Sequence, residues 1–265
     1  MASWKRRAAS AAVLLLAVAC WRRPGVAAGE VMIPDDPVLD YRIVDLEPRS
    51  ESGVKLNPEL EQVTETSTRL YRSVRDGKPV YIFEREERTA KNDRIFWTFV
   101  LDTQQLGLMR IEKKTLSRSG QVVRESWVNY RDPLFSFPEK LCHIYTISVM
   151  VRVMDLKAGA RDDFYLLLSE DASPWHMFVV VDGEEKVTVP AGTFDCWRLK
   201  LEPDYDDILG RWSWASTMIK PLVPDFFFWV AKDGTHPLIR FEGKFGPVGA
   251  APSQAHELTG IHPPQ

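Results

Sequence analysis

The chain has 265 residues, of which 45% are hydrophobic and 27% are charged, and its formal net charge at pH 7 is −3. This composition is typical of a globular protein and excludes a disordered chain, a collagen and a coiled coil. Three cysteines are too few for a disulfide-dense miniprotein. The length corresponds to one or two domains.

The first 28 residues have the pattern of an export signal. Basic residues at 5–7 precede an apolar run from Ala8 to Trp21, which is shorter than the roughly 20 residues that span a bilayer. Small residues at 26–28 favour cleavage after this segment. In the alternative interpretation, the sequence Leu-Ala-Val-Ala-Cys, which ends at Cys20, resembles a lipobox in which that cysteine is acylated. A retained membrane anchor is the third alternative.

The same segment changes the charge balance. It contains five basic residues and no acidic one, so the rest of the chain carries a formal charge of −8. Such an acidic body lacks the basic surface that nucleic acid requires. We therefore expect an exported protein in the periplasm of a Gram-negative bacterium, free or as a periplasm-facing lipoprotein. It should bind no nucleic acid and reach the membrane only through its signal or a lipid anchor.

Two cysteines, Cys142 and Cys196, remain after removal of the signal. An oxidising compartment would let them form a disulfide, and closing so long a loop could stabilise the fold by a few kcal/mol. The alternative is two buried free thiols that pack as small hydrophobic side chains.

Tight-turn signals divide the remaining chain. Asp-Gly pairs between apolar runs occur at residues 76–77, 182–183 and 233–234. Glycine accepts the positive φ that a hairpin turn needs, and Ser119-Gly120 is a weaker signal of the same kind. In Val189–Phe194, Pro190 presets φ at the first turn position, and Gly192 can take a left-handed conformation in a three-residue loop.

Between these turns, apolar and polar residues alternate as they do in half-buried strands. The predicted strands are 40–47, 62–75, 79–89, 94–102, 106–116, 121–130, 163–169, 175–182, 185–190, 194–202, 210–219, 225–232 and 237–245. A slip in the alternation after Gly192 predicts a β-bulge near Cys196. An amphipathic sheet must cover its apolar face, so we expect a mainly β fold, an antiparallel meander that forms a barrel or curled half-barrel.

One segment, 138–154, departs from the strand pattern. It begins with proline and glutamate, which suit a first helical turn, and it is apolar almost all round. We predict one buried helix there that plugs the mouth or lumen of the sheet. Its many β-branched residues permit a strand instead.

The composition shows no linker between the ends of the body. We predict a signal peptide over 1–28, a single β-rich domain over 29–245 and a loose C-terminal tail over 246–265, which is rich in proline, glycine and alanine.

No common catalytic, phosphate-binding or metal-binding motif occurs, so we expect no catalytic residue, metal or cofactor. His143 and His176 lie in apolar segments, and either could act as a base if a carboxylate oriented it. Asp204, Asp206 and Asp207 are interpreted as a solvated turn, although this spacing of oxygens could also suit Ca²⁺. The charged run 84–88 is interpreted as an exposed strand end with cross-strand ion pairs.

Aromatic residues concentrate in two neighbouring predicted strands. They are Trp212, Trp214, Phe226, Phe227, Phe228 and Trp229. Both faces of these strands are apolar, so both should be covered. A packed core, an apolar cavity for a lipid-like ligand and a protein interface all remain open. For the cavity we expect Trp212, Trp214, Phe226, Phe228 and Trp229 to lie at the ligand.

Three sequence blocks identify a resemblance to a family. Val189–Phe194, Asp132–Gly159 and the pair Phe228–Asp233 with Pro237–Arg240 resemble the exported bacterial domain-of-unknown-function family 3108. The resemblance implies an all-β, barrel-like exported domain and supplies no active site. The pattern is also similar, at a distance, to lipoprotein-carrier half-barrels of the bacterial envelope, whose helices form a lid over an apolar cavity.

The function we expect is non-enzymatic. The protein would bind a lipid, an acyl chain or another apolar envelope component, or would act as a scaffold there. The alternatives are a hydrolase with a His/carboxylate site and a lipoprotein that binds an envelope protein. Neither the ligand nor the oligomeric state follows from the residues.

Overall fold

The computed structural model describes residues 32–45, 63–132, 137–170, 172–209, 225–244 and 253–263. Thirteen strands of these residues form one sheet. In chain order they are β1 (Val38–Asp45), β2 (Val63–Arg75), β3 (Lys78–Thr89), β4 (Arg94–Leu101), β5 (Leu108–Leu116), β6 (Val122–Asn129), β7 (Leu141–His143), β8 (Arg161–Leu167), β9 (Trp175–Val189), β10 (Gly192–Pro203), β11 (Phe226–Ala231), β12 (Leu238–Lys244) and β13 (Ser253–His262). The predicted signal over 1–28, Cys20, Trp212 and Trp214 lie outside the described residues.

The sheet consists of two meanders joined by the first and last strands. Its strand order is β6-β5-β4-β3-β2-β1-β13-β12-β11-β10-β9-β8-β7. Neighbouring strands are antiparallel except β7 and β8, which are parallel. The sheet is curled and unclosed, with β6 and β7 at its edges. The predicted mainly β fold with a curled antiparallel sheet is therefore confirmed.

A helical segment packs against one face of this sheet, which we call the concave face. It comprises a 3₁₀ turn (Ile144–Thr146), an α-helical turn (Ile147–Met150) and a second 3₁₀ turn (Val151–Val153), which together form the inner helix. His143 caps its start, because Nδ1 of that imidazole accepts a hydrogen bond from the backbone N–H of Tyr145 at 3.3 Å.

The prediction of a buried helix over 138–154 is right in kind but wrong at its start. Residues Leu141–His143 form a short strand parallel to β8, and the helix begins only at Ile144. The segment is therefore a strand at its start, as the alternative interpretation allowed, and a helix after it. Pairing with β8 stabilises the extended conformation that its β-branched composition already permits.

Alternation along the strands separates the two faces of the sheet. On β3, Tyr81 and Phe83 belong to the buried cluster that includes Val149 of the inner helix, whereas Val80 and Ile82 form a smaller cluster on the convex face. Neighbouring strand residues point to opposite faces. The concave face thus holds the main core and the inner helix lies within it.

The Asp-Gly turn signals give different outcomes. Asp76 and Gly77 have φ of 51° and 72° and join β2 to β3 in a two-residue turn, as predicted. The hairpin predicted at Asp182-Gly183 is wrong, because β9 runs unbroken from Trp175 to Val189. Residue 198 pairs with Gly183 and residue 199 with Val181, so Asp182 is the extra residue of a β-bulge. The predicted bulge therefore exists close to Cys196, but the extra residue lies on the partner strand.

The hairpin of β9 and β10 covers one end of the concave face. Pro190 and Ala191 form its loop, and Gly192 has φ of 141°, which favours glycine. The loop has two residues rather than the three predicted. The N–H of Ala191 donates to the carbonyl of Leu258 on β13 at 3.1 Å, so the hairpin tip lies against another part of the sheet.

The predicted loose tail over 246–265 is wrong for residues 253–262. These residues form β13, which is hydrogen-bonded to β1 on one side and to β12 on the other. Only Ala255 and Leu258 are buried apolar residues of this strand, while Gln254 and His256 are buried and polar. Such a strand has no clear sequence signal, because hydrogen bonds to the two neighbouring strands hold it in the sheet.

Of the two interpretations of the cysteines, the structure shows the buried free thiols and not the disulfide. Cys142 and Cys196 are both free and buried, and they lie on β7 and β10, with β8 and β9 between them. Strands spaced about 4.8 Å apart place the two cysteines well beyond the roughly 4.4–6.8 Å that a disulfide requires between Cα atoms. Each thiol packs in a different hydrophobic cluster.

Candidate functional site

An apolar recess lies between the inner helix and strands β8 and β9. We call it the helix pocket; its volume is about 250 Å³. Its apolar wall consists of Ile147, Met150, Val151, Met154, Phe164 and Val179. Ile147, Met150 and Val151 have the spacing i, i+3 and i+4, which places them on one face of the helix, and Met154 follows directly after its end. An apolar wall therefore faces this recess.

Charged side chains form the rim of the helix pocket. Nζ of Lys140 lies 2.8 Å from Oδ1 of Asp162 and 3.8 Å from Oδ1 of Asp163. All three side chains are between a third and a half exposed. Ion pairs of this exposure contribute little stability, about 0–1 kcal/mol each, so the rim can rearrange at low cost.

His176 lies beside this rim and between two carboxylates. Its Nδ1 is 2.9 Å from Oδ2 of Asp204, and its Nε2 is 3.5 Å from Oδ2 of Asp163. The ring stacks on Tyr165 with centroids 4.8 Å apart. The structure thus supplies the carboxylate that sequence reasoning left unidentified for this histidine.

The acidic residues after β10 have a local structural role. Oδ1 of Asp204 accepts hydrogen bonds from the backbone N–H groups of Asp206 and Asp207 at 3.1 and 3.2 Å. They begin a short helix, Tyr205–Leu209. Among the described residues, no group of three or more His, Cys, Asp and Glu could hold a metal ion.

His143, the other candidate base, is buried at the start of the inner helix. Its ring lies 5.1 Å from Phe99 and 5.9 Å from Trp97, measured between centroids. Burial, with smaller contributions from the nearby charges of Arg85 and Lys113, lowers its pKa to about 3. The imidazole is therefore a neutral cap that substrate cannot reach.

Buried charges occupy the concave face next to a different face of the inner helix. Nε of Arg85 donates to Oε1 of Glu87 at 2.7 Å, and Nε1 of Trp97 donates to Oε2 of the same carboxylate at 3.0 Å. The guanidinium of Arg85 lies 4.1 Å from the ring centroid of Tyr145, and Nζ of Lys113 lies 4.3 Å from that of Trp97.

The interpretation of 84–88 as an exposed strand end is wrong for two of its residues. Arg85 and Glu87 are 7% and 2% exposed, whereas Glu86 pairs with Arg94 at a part-exposed site on the convex face. The alternation that places Tyr81 and Phe83 in the core continues through this charged run. The same alternation of buried positions, continued through 84–88, predicts that Arg85 and Glu87 are buried.

The predicted aromatic site is divided between the two faces of β11. Phe226 and Phe228 belong to the concave core, where Phe228 stacks on Phe241 with centroids 4.4 Å apart. Trp229 belongs to another cluster, and its Nε1 donates to Oε2 of Glu185 at 2.8 Å. These three side chains do not line one cavity. Trp212 and Trp214 cannot be assessed, because they lie outside the described residues.

Within the described part of the chain, no helix is both long and apolar enough to cross a bilayer. The family described as "Protein of unknown function (DUF3108)" matches residues 61–250. No curated protein matches the chain.

Three solved structures similar to this chain cover most of it. The β-barrel-like DUF1849 protein of Brucella abortus has 12% identity, with 88% of this chain and 100% of that chain covered and a TM-score of 0.48. The lipoprotein LppX of Mycobacterium tuberculosis has 12% identity, 88% coverage of each chain and a TM-score of 0.29. The hypothetical lipoprotein YmcC of Escherichia coli has 12% identity, covers 75% of this chain and 85% of its own, and has a TM-score of 0.29.

Proposed function

This chain belongs to the DUF3108 family, described as proteins of unknown function, and from its geometry we propose that it is a non-enzymatic binding protein for an apolar chain. The observation that carries the proposal is the helix pocket, which has an apolar wall formed by the helix and β8–β9, and polar lining residues that include Gln104, Gln105 and the charged rim. The ligand would lie between the inner helix and β8–β9.

The volume of the helix pocket favours a small ligand. Small-molecule sites usually have volumes of roughly 300–1,000 Å³, and the helix pocket, at about 250 Å³, is just below this range. An acyl chain or a similar aliphatic group would fit such a volume. Binding would be driven by removal of apolar surface from water, at about 25 cal/mol per Å².

Location is the second element of the proposal. The basic, apolar and small-residue order of 1–28 supports export into the periplasm, and Cys20 offers lipidation as the alternative to plain cleavage. An envelope location would bring the pocket close to acyl chains. The ligand is therefore proposed to be a lipid or acyl component of the envelope.

Two methionines provide the test. Met150 and Met154 line the pocket and are only partly buried, so changing both to glutamine should leave the fold intact while making the wall polar. We expect fluorescence titration with cis-parinaric acid, a fluorescent fatty acid, to show binding that the double variant weakens about tenfold, the equivalent of roughly 1.4 kcal/mol.

Met109 is the matched control, because it is a partly buried methionine that packs on the convex face. Its change to glutamine should leave the titration unchanged. Mass spectrometry of a solvent extract of the exported protein would identify the natural ligand. Absence of binding by the wild-type protein, or equal loss in M109Q, would contradict the proposal.

A hydrolase is the second candidate, and the Asp204–His176 pair favours it. A 2.9 Å contact between imidazole and carboxylate is the arrangement that orients a general base. The other ring nitrogen faces Asp163, however, so the ring contacts seen among the described residues include no nucleophile. Hydrolysis of an acyl ester by the purified protein would favour this alternative.

A protein partner is the remaining alternative. The edge strand β6 exposes Val122, Val123 and Trp127, by 53%, 67% and 63%. An exposed edge can pair with another strand. If the extract contains no ligand and the titration shows no binding, the search for a partner or scaffold role should begin at this edge.

A further inference from the structure

A small cavity lies on the concave face, next to a different face of the inner helix from the helix pocket. We call it the inner cavity; its volume is about 30 Å³. A cavity needs roughly 10–15 Å³ to hold one water, so it has room for an occupant of one or two atoms. Phe83, Phe228 and Phe241 line it on the apolar side.

Arg85, which lines this cavity, carries a donor without a hydrogen-bond partner. The side chain is 7% exposed and lines the cavity. Its Nε donates to Glu87, but Nη2 has no hydrogen-bond partner among the described residues. A buried donor left without an acceptor costs about 1–3 kcal/mol, and more when it is charged. The site therefore calls for an acceptor.

Glu87 cannot supply that acceptor. Its carboxylate already accepts from Nε of Arg85 and from Nε1 of Trp97, and it also accepts from the hydroxyl of Tyr145. Both oxygens thus have other donors, and Nη2 of Arg85 is left without an acceptor.

Hydroxyl groups and one imidazole supply the other polar atoms of the cavity wall. They belong to Tyr41, Thr68, Tyr145, Ser148 and His256. None of the described residues in the wall is a carboxylate. A halide only accepts hydrogen bonds, and its charge is opposite to that of the guanidinium.

The positive charge of Arg85 reaches the titratable groups around the inner cavity. Burial lowers the pKa of both His143 and His256, and the positive charge of Arg85 lowers each of them further. The two imidazoles are therefore neutral and add no charge of their own. Lys113 contributes to the same positive field at His143.

We propose that the inner cavity is a binding site for one monovalent anion of about the size of chloride, held by Nη2 of Arg85. The anion would also contact the wall that the inner helix provides through Tyr145 and Ser148. Because it binds only the folded protein, it would stabilise the native state by mass action. This site is independent of the proposed acyl-chain pocket.

Bromide provides the direct test. Crystals of the wild-type protein grown with bromide should show one anomalous peak in the inner cavity, within hydrogen-bond distance of Nη2 of Arg85. A cavity that contains only water, or bromide only at the surface, would overturn the proposal. This measurement does not depend on a variant that folds.

Thermal unfolding provides the second test. At constant ionic strength, replacing gluconate by chloride should raise Tm of the wild-type protein by about 2–4 °C, the shift expected for about 1 kcal/mol in a chain of this size. The double variant R85Q/E87Q keeps the core neutral and should show no chloride effect.

The matched control is R88Q/E65Q, which removes an exposed arginine–glutamate pair of the same strands, 3.6 Å apart. It should retain the full chloride effect. An equal chloride response in R85Q/E87Q and in the wild-type protein would overturn the assignment to Arg85.

Discussion

An arginine–glutamate ion pair lies on each face of the sheet at β3, and the two pairs are in different environments. Arg85 and Glu87 form an ion pair inside the concave face, with side chains 7% and 2% exposed, whereas Glu86 and Arg94 form one on the convex face with side chains 32% and 47% exposed. Both pairs have the same 2.7 Å separation. The separation of the two charges alone therefore does not determine how much an ion pair contributes to stability.

The difference lies in solvation. On the convex face water competes with the pair, and its contribution to stability is small. On the concave face both charges have lost their hydration, so each depends on its partner and on the hydrogen bonds around it. The buried pair satisfies Nε of Arg85 but leaves its Nη2 without a partner at the inner cavity.

The largest expected effect comes from breaking the buried pair. Glu87→Gln leaves the charge of Arg85 buried without its counterion, and we expect the free energy of unfolding to fall by about 3–5 kcal/mol. Urea unfolding followed by tryptophan fluorescence measures it. Glu86→Gln, one residue away on the other face, should cost no more than about 1 kcal/mol. Equal losses in the two variants would refute the contrast.

The second effect is a dependence of stability on pH that is caused by two buried histidines. The pKa values of His143 and His256 lie below the ordinary value, so the unfolded chain binds more protons between that value and the folded pKa. Their contribution to stability is complete above about pH 6.5 and should fall as the pH is lowered toward about 5, by about 1.4 kcal/mol per pH unit for each histidine.

Substitution of each histidine tests whether it causes this dependence of the free energy of unfolding on pH. His143→Gln and His256→Gln should each reduce the slope, whereas His262→Gln should not, because that side chain is 56% exposed. The raised pKa of Asp36, caused by burial, acts in the opposite direction, and it contributes equally to every histidine variant. A stability that is flat from about pH 6.5 to about 5 would contradict the prediction.

The smallest of these effects concerns the hairpin that covers one end of the concave face. Gly192 has φ of 141°, a conformation that a β-branched residue resists. Gly192→Val should therefore lower stability by about 1–3 kcal/mol, measured by urea unfolding. Gly183, in the same hairpin, has open space where a Cβ would lie and no positive φ, so Gly183→Ala should be near neutral. An equal loss in both variants would contradict the role of the Gly192 conformation.

Much of the architecture could be predicted from local patterns. Alternation of apolar and polar residues predicted β2, β3, β4 and β12 within a few residues, and the Asp76-Gly77 turn set the register of β2 against β3. Alternation is reliable there because each of these strands has one face in the core, and burial imposes the period of two on the residues themselves.

The candidate site was less predictable. The helix pocket brings Lys140, the inner helix and β8–β9 together, and these elements are joined only by long-range pairing. The neighbouring strand places Asp163 beside His176, and the turn after β10 places Asp204 there. Such juxtapositions leave no local trace in the chain.

The residues alone were enough to determine a curled, mainly β fold with one buried helix and the membership of the DUF3108 family. Only the tertiary structure decided that 253–262 is an inner strand, that Asp182 is a bulge rather than a turn, and that Arg85 and Glu87 are buried. The physical reason is the same in each case. Local patterns record which face a residue prefers, whereas hydrogen bonds and desolvation supplied by distant strands can override that preference.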